Sequence, residues 1–121
     1  MDKTINVDGK EVKFRATART PRLYRAWIGR DMIQDMSKLA KSYDKALNSK
    51  HSKDKHELDE MDLTIFENVS WVMAKQADLT VPDTPDEWLD CFDMFDIYKI
   101  LPDILVLWKV NNQTTSTAKK K

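Results

Sequence analysis

Few residues in this sequence have the types and the spacing that catalysis or metal binding requires. The two histidines, His51 and His56, stand close together in a lysine-rich stretch, and the one cysteine, Cys91, lies far along the chain. Zinc sites favour tighter pairs, such as two histidines one helical turn apart or two cysteines separated by two residues. No serine has the G-x-S-x-G context of a hydrolase nucleophile. We therefore expect a protein that is not an enzyme and that has no cofactor, no catalytic residue and no metal site.

Acidic residues are the second group whose chemistry could serve a function, as ligands for calcium. Seven acids and no basic residue lie between Lys75 and Lys99, among them Asp86, Asp90 and Asp93. An EF-hand loop alternates its acids around a central glycine, and this stretch contains no glycine. The acidic, solvent-exposed face of an amphipathic helix explains these acids better.

Charge is unevenly distributed, although 20 basic and 20 acidic residues cancel over the whole chain. Residues 1–30 contain eight Lys or Arg against three Asp or Glu, whereas residues 61–121 contain six against ten. Nucleic-acid-binding domains usually have a clear basic excess, so we expect no nucleic-acid partner. Two interpretations of the asymmetry remain open. Either the two ends face each other within one fold, or they attract separate copies of the chain.

The composition is that of a protein of the cytoplasm. No apolar run approaches the roughly 18 residues that a membrane span requires. The first residues, MDKTINVDGK, lack the apolar segment of a signal peptide. A single cysteine excludes an internal disulfide, which suits a reducing compartment.

The N-terminal half predicts a β-hairpin followed by a long helix. Asp8-Gly9 lies between two runs of alternating polar and apolar residues, which is the strongest short-range hairpin signal, and it places the hairpin at 3–16. Thr20-Pro21 has the residue types of a helix start, and apolar residues then recur with helical spacing over about 20–47. Gly29 lies inside that run, so a kink or break is expected there.

The C-terminal half predicts three more helices, at about 58–78, 85–95 and 97–110. Thr84 and Glu87 have the spacing of a capping box, and Asp96 is the expected N-cap of the last helix. Pro102 lies inside that last helix, where it predicts a kink or a restart. We expect the stretch from Thr84 to Trp108 to be the centre against which the upstream elements pack.

These elements define the fold class as mainly α (α+β): an N-terminal β-hairpin followed by a compact bundle of about four helices. Residues 1–110 form a single globular domain in this interpretation. Residues 48–57 are polar and lysine-rich, as in a solvated loop. Residues 111–121 lack an apolar anchor and are predicted to be a disordered C-terminal tail.

Three stretches of the chain resemble one protein family. They are TPRLYRAWIGRDMIQDM (20–36), FENVSWVMAKQAD (66–78) and DEWLDCFDMFDIYKILPDILVLW (86–108). Their order and spacing are similar to those of the tail assembly chaperones of long-tailed (siphovirus-type) bacteriophages and of prophages of Gram-positive bacteria. The resemblance includes the hairpin segment DGKEVKFRATART, but not residues 48–57 or the tail.

The resemblance implies a non-enzymatic function in phage tail assembly. Proteins of this family act in the host cytoplasm, bind the tape measure protein, keep it soluble and recruit tail tube protein subunits to it. They are absent from the mature virion. A longer form made by ribosomal frameshifting is typical of the family, and the lysines of the terminal TTSTAKKK are compatible with an A-rich slippery run.

A helical client of such a chaperone needs an apolar groove with complementary charge around it. We expect Trp88, Phe92 and Phe95 to contribute the apolar surface, with the acids Asp86, Asp90 and Asp93 beside them. Aromatic residues surrounded by charge are equally typical of a small helical core, so both interpretations of these rings stay open. The basic residues Arg15, Arg19, Arg22 and Arg25 are expected to contact the acidic end of a neighbouring copy, which would give self-association.

Two other function classes compete with the chaperone interpretation. A structural component of the phage particle, such as a head–tail connector or a tail terminator, shares the small size and the absence of catalytic motifs. A host-directed regulator or nucleic-acid binder comes third, and its affinity would fall steeply with salt.

Overall fold

The computed structural model describes the backbone of residues 1–48 and 58–120 and the side chains up to residue 109. Two strands and five helices follow one another: β1 (Asp2–Val7), β2 (Lys10–Arg15), α1 (Thr20–Ile28), α2 (Met32–Asn48), α3 (Glu60–Ala77), α4 (Pro85–Leu89) and α5 (Ile97–Lys120). The predicted fold class, an N-terminal hairpin followed by helices, is confirmed. The loop predicted around His51 and His56 lies outside the described residues.

The hairpin forms at the predicted Asp-Gly pair. β1 and β2 pair antiparallel, with Val7 opposite Lys10, so Asp8 and Gly9 alone make the turn. Both turn residues have positive φ, 53° and 80°, as a type I′ turn requires. The hairpin buries one apolar face, which includes Ile5, Val7 and Phe14. β1 packs against α5 and β2 packs against α3.

The predicted helix over 20–47 is two helices, because the chain breaks at Gly29. Gly29 has φ 82° and ψ 21° and ends α1 as a left-handed C-cap, with its N–H bonded to the Arg25 carbonyl at 3.0 Å. The Asp31 carboxylate then accepts hydrogen bonds from the N–H groups of Ile33 and Gln34, which starts α2. The break that the sequence indicated as one alternative is confirmed.

Thr20 does not cap α1, although its pairing with Pro21 predicts a cap. Its side chain is fully buried, and its hydroxyl accepts a hydrogen bond from the Thr17 N–H and donates one to Gln76 of α3 at 2.7 Å. Arg19 stands at the N-cap position without a side-chain hydrogen bond to the helix. The Thr20 hydroxyl therefore joins α1 to α3.

The centre of the fold is α3, and the expectation that residues 84–108 form it is wrong. α3 contacts β2, α1, α2, α4 and α5. Its buried residues run consecutively from Val69 to Ala74, so this part of the helix is covered on all sides. Its start is fixed by a capping box that the sequence analysis missed: the Asp59 carboxylate accepts from the Asp62 N–H, and the Asp62 carboxylate accepts from the Asp59 N–H.

The last two helices differ in extent from the prediction. α4 ends at Leu89 instead of residue 95, so Phe92 and Phe95 are not on a helix.

The Asp96 carboxylate accepts a hydrogen bond from the Tyr98 N–H at the start of α5, in agreement with its predicted role as N-cap. α5 continues through Pro102, and its backbone is helical to Lys120, past the predicted end at residue 110. The disorder predicted for residues 111–121 stays a prediction.

Candidate partner-binding site

A strip of unpaired acids surrounds α4. The Thr84 hydroxyl accepts a hydrogen bond from the Glu87 N–H at 3.1 Å, which fixes the start of α4 as the capping pattern predicts. The helix start and the turn after it place four exposed carboxylates close together in sequence; we call Asp86, Glu87, Asp90 and Asp93 the acidic strip. In the described part of the chain, none of the four forms an ion pair.

Beside the acidic strip, five rings from four parts of the chain form an aromatic cluster. Its members are Phe14, Phe66, Trp88, Phe92 and Phe95. The Trp88 ring is at its centre, with centroids 5.4 Å from Phe92, 5.3 Å from Phe95 and 6.3 Å from Phe14. Edge-to-face packing of this kind contributes about 0.5–1.5 kcal/mol per pair beyond the burial of area.

The three aromatic residues that were predicted to bind a partner differ in exposure. Trp88 is only 3% exposed, so its ring belongs to the core in this conformation. Phe92 and Phe95 are half-buried and cover the outer side of Trp88. The structure therefore brings the predicted rings and the predicted acids together, but it places Trp88 beneath the other two rings.

The covering segment is residues 90–96, which we call the strap because it forms neither helix nor strand between α4 and α5. The hairpin turn holds it by two contacts. The Asp8 carboxylate accepts a hydrogen bond from the Asp93 N–H at 2.9 Å. The Lys10 ammonium donates to the Cys91 carbonyl and lies 5.4 Å from the centre of the Phe92 ring, a cation–π distance.

Sequence reasoning missed Asp8 and Lys10 as parts of this site because both lie more than eighty residues from the strap residues that they contact. Two further apolar side chains are exposed nearby in sequence: Met94 on the strap, which sequence reasoning missed, and Tyr98 in the first turn of α5, at 67% and 54%. Their spacing of four residues was the available signal. The predicted helix over 85–95 hid it, because the real chain leaves the helix at Leu89.

One carboxyl group near the acidic strip has a perturbed pKa. Burial raises the pKa of Glu67 on α3, and the negative charge of Asp86 raises it further. The charges of Asp86 and Glu67 therefore repel each other. A positively charged partner would relieve this repulsion.

The predicted basic residues lie on the hairpin and α1. Arg19, Arg22 and Arg25 are exposed along α1, and we call them the basic face. Arg15 is separate from them: its guanidinium binds the Asp2 carboxylate on β1 at 2.8 Å and 2.9 Å. This hydrogen bond lowers the pKa of Asp2. Arg15 is thus already partnered within the hairpin, whereas no described ion pair includes a residue of the basic face.

The basic face and the acidic strip do not neutralise each other within one molecule. Over residues 1–48 and 58–109, one ion pair joins the first thirty residues to the C-terminal half. It is Lys3–Asp103, at 2.9 Å between β1 and α5. The other described pairs of the N-terminal region are Arg15–Asp2 and Arg30–Asp35. Both charged surfaces are therefore available to other molecules.

Within the described residues, no group of three or more His, Cys, Asp or Glu side chains is arranged to hold a metal ion. Cys91 is a free, exposed thiol on the strap. No helix in the described part has the length and hydropathy to cross a membrane.

Comparisons with known proteins leave the family open. No protein-family model, no curated protein and no solved structure matches this chain.

Proposed function

We propose that this protein is a phage tail assembly chaperone that binds the tape measure protein, keeps it soluble in the host cytoplasm and helps to recruit tail tube subunits to it. The proposal combines the resemblance of three stretches of the sequence with the character of the site. In this proposal the protein acts by binding alone and leaves before the virion matures.

The observation that carries the proposal is the acidic strip, whose four carboxylates form no ion pair within the described residues, beside half-buried and exposed apolar side chains. The four carboxylates are exposed and form no described ion pair, so their charge is available to a basic partner. Phe92, Phe95, Met94 and Tyr98 add apolar area next to them. An amphipathic helix with an apolar face and flanking Lys or Arg is the partner that such a surface fits.

Binding of this kind would keep a long helical client soluble by covering its apolar face. The acidic strip would steer basic segments of the client to the site, because complementary charge raises the association rate more than the final affinity. In copies whose acidic strip holds no client, the basic face of a neighbouring copy would be free to contact that strip, so self-association and client binding would compete. We assign this second contact to Arg19, Arg22 and Arg25, since Arg15 is bound to Asp2.

Co-expression with the product of the longest open reading frame near the gene tests the proposal. We expect the wild-type protein to bring that long helical product into the soluble fraction and to co-purify with it. The variant Asp90→Lys/Asp93→Lys reverses half of the acidic strip and should reduce the co-purified client at least about tenfold. The Asp93 N–H that bonds to Asp8 is retained in this variant, because it belongs to the backbone.

A matched control is Glu11→Lys/Asp44→Lys, which makes the same change in net charge at exposed acids of β2 and α2. This control should bind the client like the wild type. Equal loss in both variants would mean that net charge alone controls binding and would contradict a role for the acidic strip. A client that stays insoluble with the wild-type protein would contradict the chaperone function.

A structural component of the particle, such as a head–tail connector or tail terminator, is the alternative to be tested in parallel. Mass spectrometry of purified virions distinguishes the two, because a connector or terminator stays in the particle and a chaperone does not.

A further inference from the structure

The strap, residues 90–96, is held to the body of the protein mainly at its two aromatic rings and at the hairpin turn. Asp90, Cys91, Asp93, Met94 and Asp96 are all exposed. Backbone hydrogen bonds from the Cys91 and Phe92 N–H groups close a last tight turn after α4, and they do not bind the strap to another element. Among the described residues, the hairpin supplies the polar contacts that join residues 90–95 of the strap to another element, and Asp96 is bonded to the first turn of α5.

That attachment is weak by its chemistry. The Asp8–Asp93 hydrogen bond and the Lys10–Cys91 hydrogen bond are both exposed to solvent. Exposed hydrogen bonds and charge contacts contribute little, since water competes for the same groups. The turn that presents Asp8 is in contrast fixed by its pairing, with Val7 opposite Lys10.

The aromatic side chains that would line a helix-binding groove lie beneath the strap. Phe92 and Phe95 are the two members of the aromatic cluster that belong to the strap, and both contact the ring of Trp88. Phe95 also packs 5.3 Å from Phe66 of α3. Outward movement of the strap would remove two rings together and uncover Trp88 and Phe66, with the acidic strip along the rim.

We propose that the hairpin turn is a latch that holds the strap closed over Trp88, and that release of the latch opens the client-binding groove. The occupant is an amphipathic helix of the client, whose large apolar side chains take the places of Phe92 and Phe95 and whose basic residues pair with the acidic strip. This inference rests on the proposed function for the identity of the occupant, but not for the movement of the strap.

Opening of the strap is measured first without any client. Lys10→Met keeps the apolar stem over Phe92 and removes the ammonium group, and Asp8→Gly removes the carboxylate at a position where glycine tolerates positive φ. In the double variant, amide hydrogen exchange over residues 90–96 should accelerate about tenfold, while α3 keeps its protection. Lys13→Met is the matched control, since Lys13 is an exposed lysine on the outer face of the same strand.

Groove opening is then measured with a probe of defined composition. The probe is a synthetic helical peptide with leucines at positions i, i+4 and i+7 and lysines beside them. The latch variant should bind it about tenfold more tightly than the wild type, and Lys13→Met should bind it like the wild type. Exchange over residues 90–96 that stays unchanged in the latch variant, while circular dichroism shows that the variant is folded, would overturn the proposal.

Closure is tested in the opposite direction with the native Cys91. In Lys10→Cys, a short bismaleimide joins residue 10 to Cys91 and locks the strap, whereas N-ethylmaleimide modifies the same two thiols without joining them. We expect the locked protein to lose peptide binding and the unjoined protein to keep it. Equal binding by both forms, or failure of the two thiols to be joined, would contradict the latch.

The client separates this inference from the proposed function. If the locked and unlocked proteins bind the tape measure product equally, the latch is wrong and the chaperone function stands. If the latch variants show the expected exchange and peptide binding but no form binds the tape measure product, the latch stands and the proposed client is wrong.

Discussion

Asp35 shows how one residue fixes the angle between two helices. This buried carboxylate accepts hydrogen bonds from the Tyr24 hydroxyl at 2.7 Å and from the Arg30 guanidinium at two atoms, each 2.8 Å away. Tyr24 lies on α1, Arg30 in the connection and Asp35 on α2, so the three groups clamp the break at Gly29. The hydrogen bonds from Arg30 lower the pKa of Asp35, and burial raises the pKa of Tyr24.

The lowered pKa of Asp35 predicts a specific pH dependence of stability. Because its pKa is lower in the folded state, Asp35 stabilises the fold above its ordinary pKa near 3.8 and loses this effect as the pH falls through the folded value. At pH 7, Asp35→Asn should reduce the free energy of unfolding by about 2 kcal/mol. At pH 2–3 the difference from the wild type should shrink, and urea unfolding at both values measures it.

Asp44→Asn is the control for this prediction, since Asp44 is an exposed acid on the same helix. Its effect on the free energy of unfolding should be small at both pH values. A loss from Asp35→Asn that is the same at pH 7 and below pH 3 would show that ionisation of Asp35 does not stabilise the clamp.

At the scale of elements, one glycine separates α1 from α2. The position of an added Cβ at Gly29 is open, with no neighbouring atom within 4 Å, so only the positive φ of 82° restricts substitution. Gly29→Ala should therefore lower the free energy of unfolding by about 1–2 kcal/mol, the cost of a left-handed conformation for a residue with a Cβ. Gly29→Asn should cost less, because asparagine tolerates this conformation.

Urea unfolding of these two variants measures the difference. Loss of stability for alanine with partial recovery for asparagine identifies backbone strain as the cause. A stable Gly29→Ala variant would contradict the structure, because it would mean that α1 and α2 do not need a left-handed residue between them.

At the scale of the whole molecule, the basic face and the acidic strip are separate surfaces. Neither surface is complementary to itself. A contact between the basic face of one copy and the acidic strip of the next joins unlike surfaces, so it is heterologous and extends into a chain or closes into a ring. We predict self-association that is detectable at about 0.05 M salt and lost at about 0.5 M salt, because salt screens exposed charges. Sedimentation velocity at the two salt concentrations measures it.

Charge reversal identifies the surfaces in this association. Arg22→Glu/Arg25→Glu should abolish it, whereas the same change at exposed lysines of α2, Lys41→Glu/Lys45→Glu, should leave it intact. Mixing the arginine variant with Asp90→Lys/Asp93→Lys should restore association between the two proteins. Association that persists at high salt would mean that apolar contacts hold the copies together.

Local sequence patterns determined much of this fold. The Asp-Gly pair specifies a two-residue turn because both positions need positive φ. Thr84 with Pro85 specifies the start of α4, because the Thr84 hydroxyl accepts a hydrogen bond from the Glu87 N–H and proline has no N–H to leave unpaired in the first turn. Apolar residues at helical spacing located all the long helices. Each of these signals depends on neighbours within a few residues, so it can be recognised without the tertiary structure.

Only the tertiary structure decided which element is central, where α4 ends and which rings face solvent. α3 is central because five other elements cover it, and no pattern within the helix states how many neighbours it has. α4 stops at Leu89 while the apolar spacing continues, and beyond its end Asp8 and Lys10, more than eighty residues earlier, bind the Asp93 N–H and the Cys91 carbonyl. Spacing alone put Trp88, Phe92 and Phe95 on one helical face, and long-range packing made Trp88 the core beneath the other two.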